Sequence, residues 1–495
     1  MTRREDRMSA LSPQKRQLLD HLTAQRERSR PWPVEVVSSD RREGEFPATA
    51  GQRRTFLHTR DHPEETFWNM RMGLRLRGPL DAPAMVRAVQ RLQDRHDSLR
   101  TTFRLDGDRV LQVVAPRPAA AIPIVDLEGL PSDLVTQRMR HADHEEETRP
   151  FDLSCDNTLR GRILRVCPDD HALLLTVHHV VLDGWSANVL TRDLFALYDE
   201  ERGVAEATPE PHLQFHDYAE WQHRWLHSWS RIEQSQYWRR TMAGAPPVLD
   251  LTARKREESV GFERGHRTFE IGPAVAEAVR EIGRSCGATM FMTLVAAFSV
   301  LAARDAAQQE IVIGVPIAAR HQSELEDVVG LFANMVPVRV NLRGAASFHE
   351  LITGVRQTAQ DGFCHQDLPI EELLSELDVE TPVGYAPVIQ VIFALYNYPR
   401  AFVELTGIDD EPLSDGPPSE ALQIYAPHDV RPDLCIRVYD QLGRTSCRCF
   451  LEYNGRALSA NRADQIVEDY LELLGRLTAD PNAPLTRAFE SASRR

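Results

Sequence analysis

The sequence predicts an α/β protein made of two lobes, and three observations carry that expectation. Apolar runs of strand length alternate with stretches of helical spacing from about residue 46 to residue 477. Near the middle, a helical stretch over 232–242 runs into Gly244-Ala245-Pro246-Pro247, a breaker after which a second strand-and-helix series opens. The segment HHVVLDG at 178–184 lies in the first series and occurs once, and a cleft between domains is the usual place for a ligand. With 495 residues and 42% hydrophobic content, the chain can bury two cores.

Composition narrows the function. A net charge of −15 argues against a nucleic-acid partner, because phosphate binding draws on basic surface. Seven cysteines are scattered with no CxxC pair, which fits a reducing cytoplasm without a disulfide framework or zinc site. Cys447 and Cys449 sit two apart in a strand-like run and share one face as packing residues. The opening MTRREDRMSALSPQ has no apolar core and does not read as a signal peptide. Met290 to Ala303, the most apolar window, is shorter than the ~20 residues that span a bilayer, so a buried helix is expected and no membrane partner.

Taken in order, residues 1–45 form a polar tail with one short helix, capped at Ser12-Pro13 and striped by Leu18, Leu19 and Leu22. The N-terminal lobe runs over 46–228. Residues 47–58 have helical spacing, and Met70, Met72, Leu74 and Leu76 alternate as a strand. Asp81 caps a helix with Pro83 in its first turn and Met85, Val89 and Leu92 on its buried face; Asp106-Gly107 marks a hairpin. Residues 141–170 are charged and partly helical, and their run of acids reads as a solvated face. Ala172 to Val177 is a buried strand, and Trp185-Ser186 opens a helix with Val189, Leu190, Leu194, Leu197 and Tyr198 inward. The C-terminal lobe, 229–495, holds helices over 273–286 and 289–304, then strands over 311–316, 328–340 and 386–397. After an aperiodic stretch at 399–420 come strands at 434–439 and 447–453 and a last helix at 459–477.

The strand ending at Val177 delivers two adjacent histidines to a turn and a helix start. Side chains alternate along extended backbone, so His178 and His179 are expected to point opposite ways, one into a cleft and one inward. An imidazole there, beside helix-start N–H groups, combines a proton acceptor with an oxyanion site.

His178-His179-Val180-Val181-Leu182-Asp183-Gly184 resembles the HHxxxDG motif of the acyltransferase superfamily that includes chloramphenicol acetyltransferase and the condensation domains of nonribosomal peptide synthetases. Six further segments are similar to condensation-domain patterns in the family's order: 49–56, RHDSLRTTF at 95–103, LQFHDYAEW at 213–221, Gly330/Phe332/Asn334, HQDLPIEELL at 365–374 and APVIQVIFALYN at 386–397. Gly51 and Thr55 depart from the first pattern, and the arginine-bearing lead-in to the last is missing. The resemblance implies two chloramphenicol-acetyltransferase-like lobes forming a V-shaped pseudo-dimer, one site in the cleft, and a crossover between lobes near 399–420.

It also implies acyl transfer, in which an amine or hydroxyl attacks an acyl thioester to give an amide or ester. His179 takes the role of general base or positioner of the nucleophile, with its ring facing open space in the cleft. His178 supports it, Gly184 allows close backbone approach, and N–H groups near Trp185 and Ser186 receive the oxyanion. Asp183 is expected to turn from the cleft and pair with Arg320, and Asn334 to line the cleft. Arg100 anchors structure. No bound cofactor or metal is implied. Substrates arrive on phosphopantetheine arms of peptidyl or acyl carrier proteins acting in trans, and a small-molecule acceptor fits the same chemistry. Two alternatives stay open: a CoA-dependent acyltransferase of the same superfamily, and a non-catalytic recruitment module on the same fold.

Overall fold

Capping chemistry sets the first helices. The computed structural model describes residues 36–39, 42–116, 122–251, 263–377, 379–397, 405, 408–412, 432–440 and 445–487; the expected tail helix at 12–22 lies outside them. In the N-terminal half the elements are β1 (Gly44–Pro47), α1 (Ala50–Asp61), β2 (Asn69–Arg77), α2 (Ala82–Arg95), β3 (Thr101–Asp106), β4 (Arg109–Val114), β5 (Ile124–Asp126), α3 (Ser132–Thr148), β6 (Leu159–Cys167), β7 (Asp170–His178), α4 (Gly184–Glu201) and α5 (Phe215–Trp225). Thr49 and Gln52 close a capping box at the start of α1, and Asp81 accepts the Ala84 N–H at 2.9 Å to start α2. Gly107, at φ +64°, turns the β3–β4 hairpin.

The C-terminal half continues with α6 (Trp229–Met242), β8 (Arg264–Ile271), α7 (Pro273–Ser285), α8 (Met290–Asp305), β9 (Glu310–Ile317), β10 (Asn334–Asn341), α9 (Phe348–Cys364), α10 (Ile370–Glu376), β11 (Val391–Tyr396), β12 (Asp409–Pro412), β13 (Leu434–Tyr439), β14 (Cys447–Asn454) and α11 (Ala460–Ala479). Six of its seven described strands form one mixed sheet in the order β10-β9-β11-β13-β14-β8. The first half carries a small sheet, β1-β4-β3, and a larger one, β12-β2-β7-β6-β5. Thus β12 leaves the second half and pairs antiparallel with β2, Asp409 opposite Arg77 through Pro412 opposite Leu74.

Each half has its own core. Leu92, Leu99, Phe103, Leu173, Val177 and Leu190 lie in the first, at 2% exposure or less. α8 runs through the second, with Leu294 to Phe298 fully buried, as the apolar window predicts. Phe215, Tyr218, Trp221 and Trp225 of α5 pack with the second core although they precede the breaker at 244–247. No single helix among the described residues is long and apolar enough to cross a membrane.

Three expectations change. The acidic run over 141–148 is more than a solvated face: Glu146, 3% exposed, sits between Arg160 at 3.1 Å and Arg162 at 2.7 Å. Those arginines disguise β6, whose half-buried positions are covered by α3 in place of apolar contacts. Residues 328–333 are not strand, because the N–H groups of Gly330, Phe332 and Ala333 bond to side chains at the start of α4 rather than to a neighbouring strand. The strand expected from 386 begins only at Val391.

Candidate active site

Antiparallel pairing of β2 with β7 sets Asn69 opposite His178 and brings the next residue, Trp68, to His179: the His179 N–H donates to the Trp68 carbonyl at 2.9 Å. Beyond His178 the chain turns through one 3₁₀ turn, His179–Val181, so the two rings diverge. His178 packs edge-on against Phe151, accepts the Val180 N–H on Nδ1 at 3.2 Å, and places Nε2 3.5 Å from Thr59 Oγ1. Burial holds its pKa well below that of a free histidine.

His179 Nδ1 lies 2.5 Å from the Leu182 carbonyl, so Nδ1 carries the proton and Nε2 is left as a bare lone pair. That Nε2 is buried and has no hydrogen-bond partner. Burial drives the pKa down to about 4, against the Leu182 hydrogen bond and with help from the Arg54 charge. The ring does not face open space as the motif led one to expect. It is 2% exposed, stacked under Trp68 at a centroid distance of 5.4 Å and an interplanar angle of 26°. Arg54, from α1, lies 5.8 Å over the Trp68 ring and pairs with Glu371 of α10 at 2.8 Å. Glu371 in turn lines a small recess between the halves with Thr49, Gly51, Trp221 and Asn334.

Asp183 caps α4 and faces away from His179's lone pair. Its carboxylate accepts the Ser186 N–H at 2.8 Å, the Arg320 guanidinium at 3.1 and 3.2 Å, and the Phe332 and Ala333 N–H groups at 3.0 and 3.1 Å. Burial alone would raise its pKa; Arg320 and the Ser186 hydrogen bonds outweigh burial and hold it below the ordinary carboxylate range. Ser186 completes the clasp: its Oγ donates to the Gly330 carbonyl at 2.8 Å and accepts from the Gly330 N–H at 3.0 Å and Arg320 at 2.7 Å. Arg320 lies 4.2 Å from the Phe332 ring centroid and 5.7 Å from that of Trp185.

Of the N–H groups expected to receive an oxyanion, that of Ser186 is spent. Asp183 takes those of Ser186 and, through its carbonyl, Ala187 at 2.9 Å, while the Trp185 indole donates to the Glu326 carbonyl at 2.9 Å. Gly184 is the first residue of α4, half-buried. Asn334 lines the recess, but its amide is fully engaged, donating to the Gln366 and Leu368 carbonyls and accepting from the Met335 and Ile370 N–H groups. Arg100 is structural, bonded to Asp97 and the Ala115 carbonyl. Nothing in the sequence pointed to Trp68, one residue outside a strand and in no motif; Arg54 was visible only as one position of the 49–56 segment.

A family model described as Condensation domain matches residues 42–491. The chain is 36% identical over 372 residues to a linear gramicidin synthase of Brevibacillus parabrevis, covering 74% of this chain and 7% of that protein. It is 33% identical over 479 residues to phosphinothricin tripeptide synthetase PhsC of Streptomyces viridochromogenes, covering 96% of this chain and 43% of the other. The chain thus spans less than half the length of these curated relatives. Among solved structures, the X-domain in its complex with OxyB from teicoplanin biosynthesis superposes with a TM-score of 0.80 at 25% identity, covering 92% of this chain and 98% of that one. SgcC5 from Streptomyces globisporus superposes with a TM-score of 0.70 at 25% identity, covering 85% and 95%.

Proposed function

The chain belongs to the condensation domain family, and on that premise we propose that it joins an acyl or aminoacyl thioester, carried on a phosphopantetheine arm, to an amine. The product is an amide, of the kind that builds nonribosomal peptides. Carrier proteins supply the arms, and no resident cofactor is needed. The observation that carries this reading is the state of His179: a buried, unprotonated Nε2 without a hydrogen-bond partner, its ring locked by the other nitrogen onto the Leu182 carbonyl.

That state refines the role. An α-ammonium of pKa about 7.7–8.0 facing an imidazole of about 4 cannot hand over its proton cheaply. A gap of nearly four units corresponds to about 5 kcal/mol. The acceptor amine therefore arrives neutral, donates an N–H hydrogen bond to Nε2, and is held with its lone pair toward the thioester carbon. Once the C–N bond forms, the nitrogen becomes strongly acidic. It then yields its proton to Nε2, which passes it to the leaving thiolate.

The test is incubation with a panel of aminoacyl- and acyl-carrier donors and amine acceptors, products read by mass spectrometry, wild type beside His179→Ala. Loss of about 10²–10⁴ in rate is expected for the variant. Acyl-CoA donors in the same panel address the CoA-dependent alternative. A second reading, a docking module without chemistry, is favoured by the 2% exposure of His179 and by the likeness to the X-domain that was solved in complex with OxyB. Wild type that is inert with every donor would decide for it.

A further inference from the structure

The ring that covers His179 has an unmet hydrogen bond of its own. Trp68 is fully buried, and its indole Nε1 has no hydrogen-bond partner. Beside it, His179 Nε2 and Arg54 Nε are also buried and unpartnered. Buried indole N–H groups normally find an acceptor, and one left unmet costs about 1–3 kcal/mol. Phenylalanine would fill this place without that cost. Here two donors and an acceptor are left unmet together, with Trp68 stacked on His179 and Arg54, its charge paired with Glu371, over Trp68. A carbonyl oxygen beside an N–H is the chemical complement of the indole N–H and the imidazole Nε2.

We propose that Trp68 is a further catalytic residue, whose indole N–H donates to the acyl carbonyl oxygen and stabilises it as the oxyanion forms. The proposal rests on the condensation reading above. It answers the question left by α4, whose N–H groups at Ser186 and Ala187 are already taken by Asp183. The position is rigid: the Trp68 carbonyl accepts the His179 N–H in continuation of the β2–β7 pairing. The amine nitrogen attacks the thioester carbon, and the carbonyl π electrons move onto oxygen under the Trp68 N–H. The amine proton passes to His179 Nε2. Collapse of the oxyanion restores C=O and breaks the C–S bond, and the proton leaves with the sulfur. Arg54 adds positive charge next to the indole, on the side that pairs with Glu371.

The experiment compares wild type, Trp68→Phe and His179→Ala as full chains with the same carrier-bound donor and amine. Phenylalanine keeps a ring over His179 and deletes only the N–H and part of the ring edge. The expected result is a fall in kcat of about 10²–10³ with KM for both substrates unchanged and no loss of thermal stability. A second measurement uses wild type alone: a dithioester donor, whose sulfur is a poor acceptor, loses at least about tenfold more rate than its uncatalysed aminolysis does. An active wild type with Trp68→Phe turning over equally well overturns the donor role and leaves the condensation reading intact. Equal rates for thioester and dithioester, corrected for their uncatalysed reactions, overturn it as well. Wild type inert with every donor overturns both.

Discussion

Replacing Asp183 by alanine tests whether this carboxylate builds the site rather than acting in it. The side chains of Asp183 and Arg320 are each 2% exposed, so the variant leaves a buried guanidinium without its counter-charge. Breaking such a pair from one side costs about 3–5 kcal/mol. The backbone N–H groups of Ser186, Phe332 and Ala333 lose their acceptor as well. Each costs about 1–3 kcal/mol if nothing replaces it. Even with partial relaxation, the sum rivals the whole stability of an ordinary domain, about 5–15 kcal/mol. Asp183→Ala should therefore fail to accumulate as folded protein, measured as soluble yield and urea midpoint. The double variant Asp183→Ala/Arg320→Met removes the stranded charge and should recover part of the loss, a coupling of about 3 kcal/mol in the cycle. A soluble Asp183→Ala protein with the wild-type midpoint and no activity would refute the reasoning and return the aspartate to catalysis.

The same geometry sets four other outcomes. His179 carries a folded pKa of about 4 against about 6.5 unfolded, so its contribution is intact above about pH 6.5 and is lost as pH falls toward 4. The loss approaches about 3 kcal/mol, and His178, shifted the same way, adds to it; urea midpoints across about pH 4.5–7.5 measure this. For turnover, the lone pair on Nε2 is available at every pH above about 4, so the pH–rate profile should rise with the amine's own ionisation near about pH 8 and show no limb near about 6.5. Gly330→Ala should destabilise severely, because a Cβ there falls 1.8 Å from the Phe215 ring. Adding Phe215→Ala should restore some soluble yield. His178→Ala should lower stability by about 1–3 kcal/mol through the orphaned Val180 N–H while leaving a measurable kcat, whereas His179→Ala, which orphans the Leu182 carbonyl in the same way, should also lose turnover.

Wherever neighbours along the chain carry the information, the sequence was readable. Capping residues Thr49, Asp81, Thr289 and Ser459 fix helix starts through bonds three residues long, and periodicity marks β2, β7 and α8. The HHxxxDG stretch, with its strand and helix, is equally local. What the chain order hides is pairing at a distance. β6 looks like charged helix until α3 supplies Glu146 to its arginines, and residues 328–333 look like strand until Asp183 and Ser186 claim their N–H groups. α9 is the exception: Ser347 caps it by accepting the Glu350 N–H, a local signal that the sequence reading passed over.

Local spacing marked the polar crest and a helix opening at Trp185-Ser186, and the family resemblance matched Arg320 to Asp183 by position. Only the folded chain decided that His179 is buried, that its Nδ1 proton is committed to Leu182, and that Trp68 covers it. Those facts depend on β2 lying against β7 and on α1 meeting α10, contacts between residues far apart along the chain. Desolvation and stacking arise only when such segments meet, and they set the proton affinity of the imidazole.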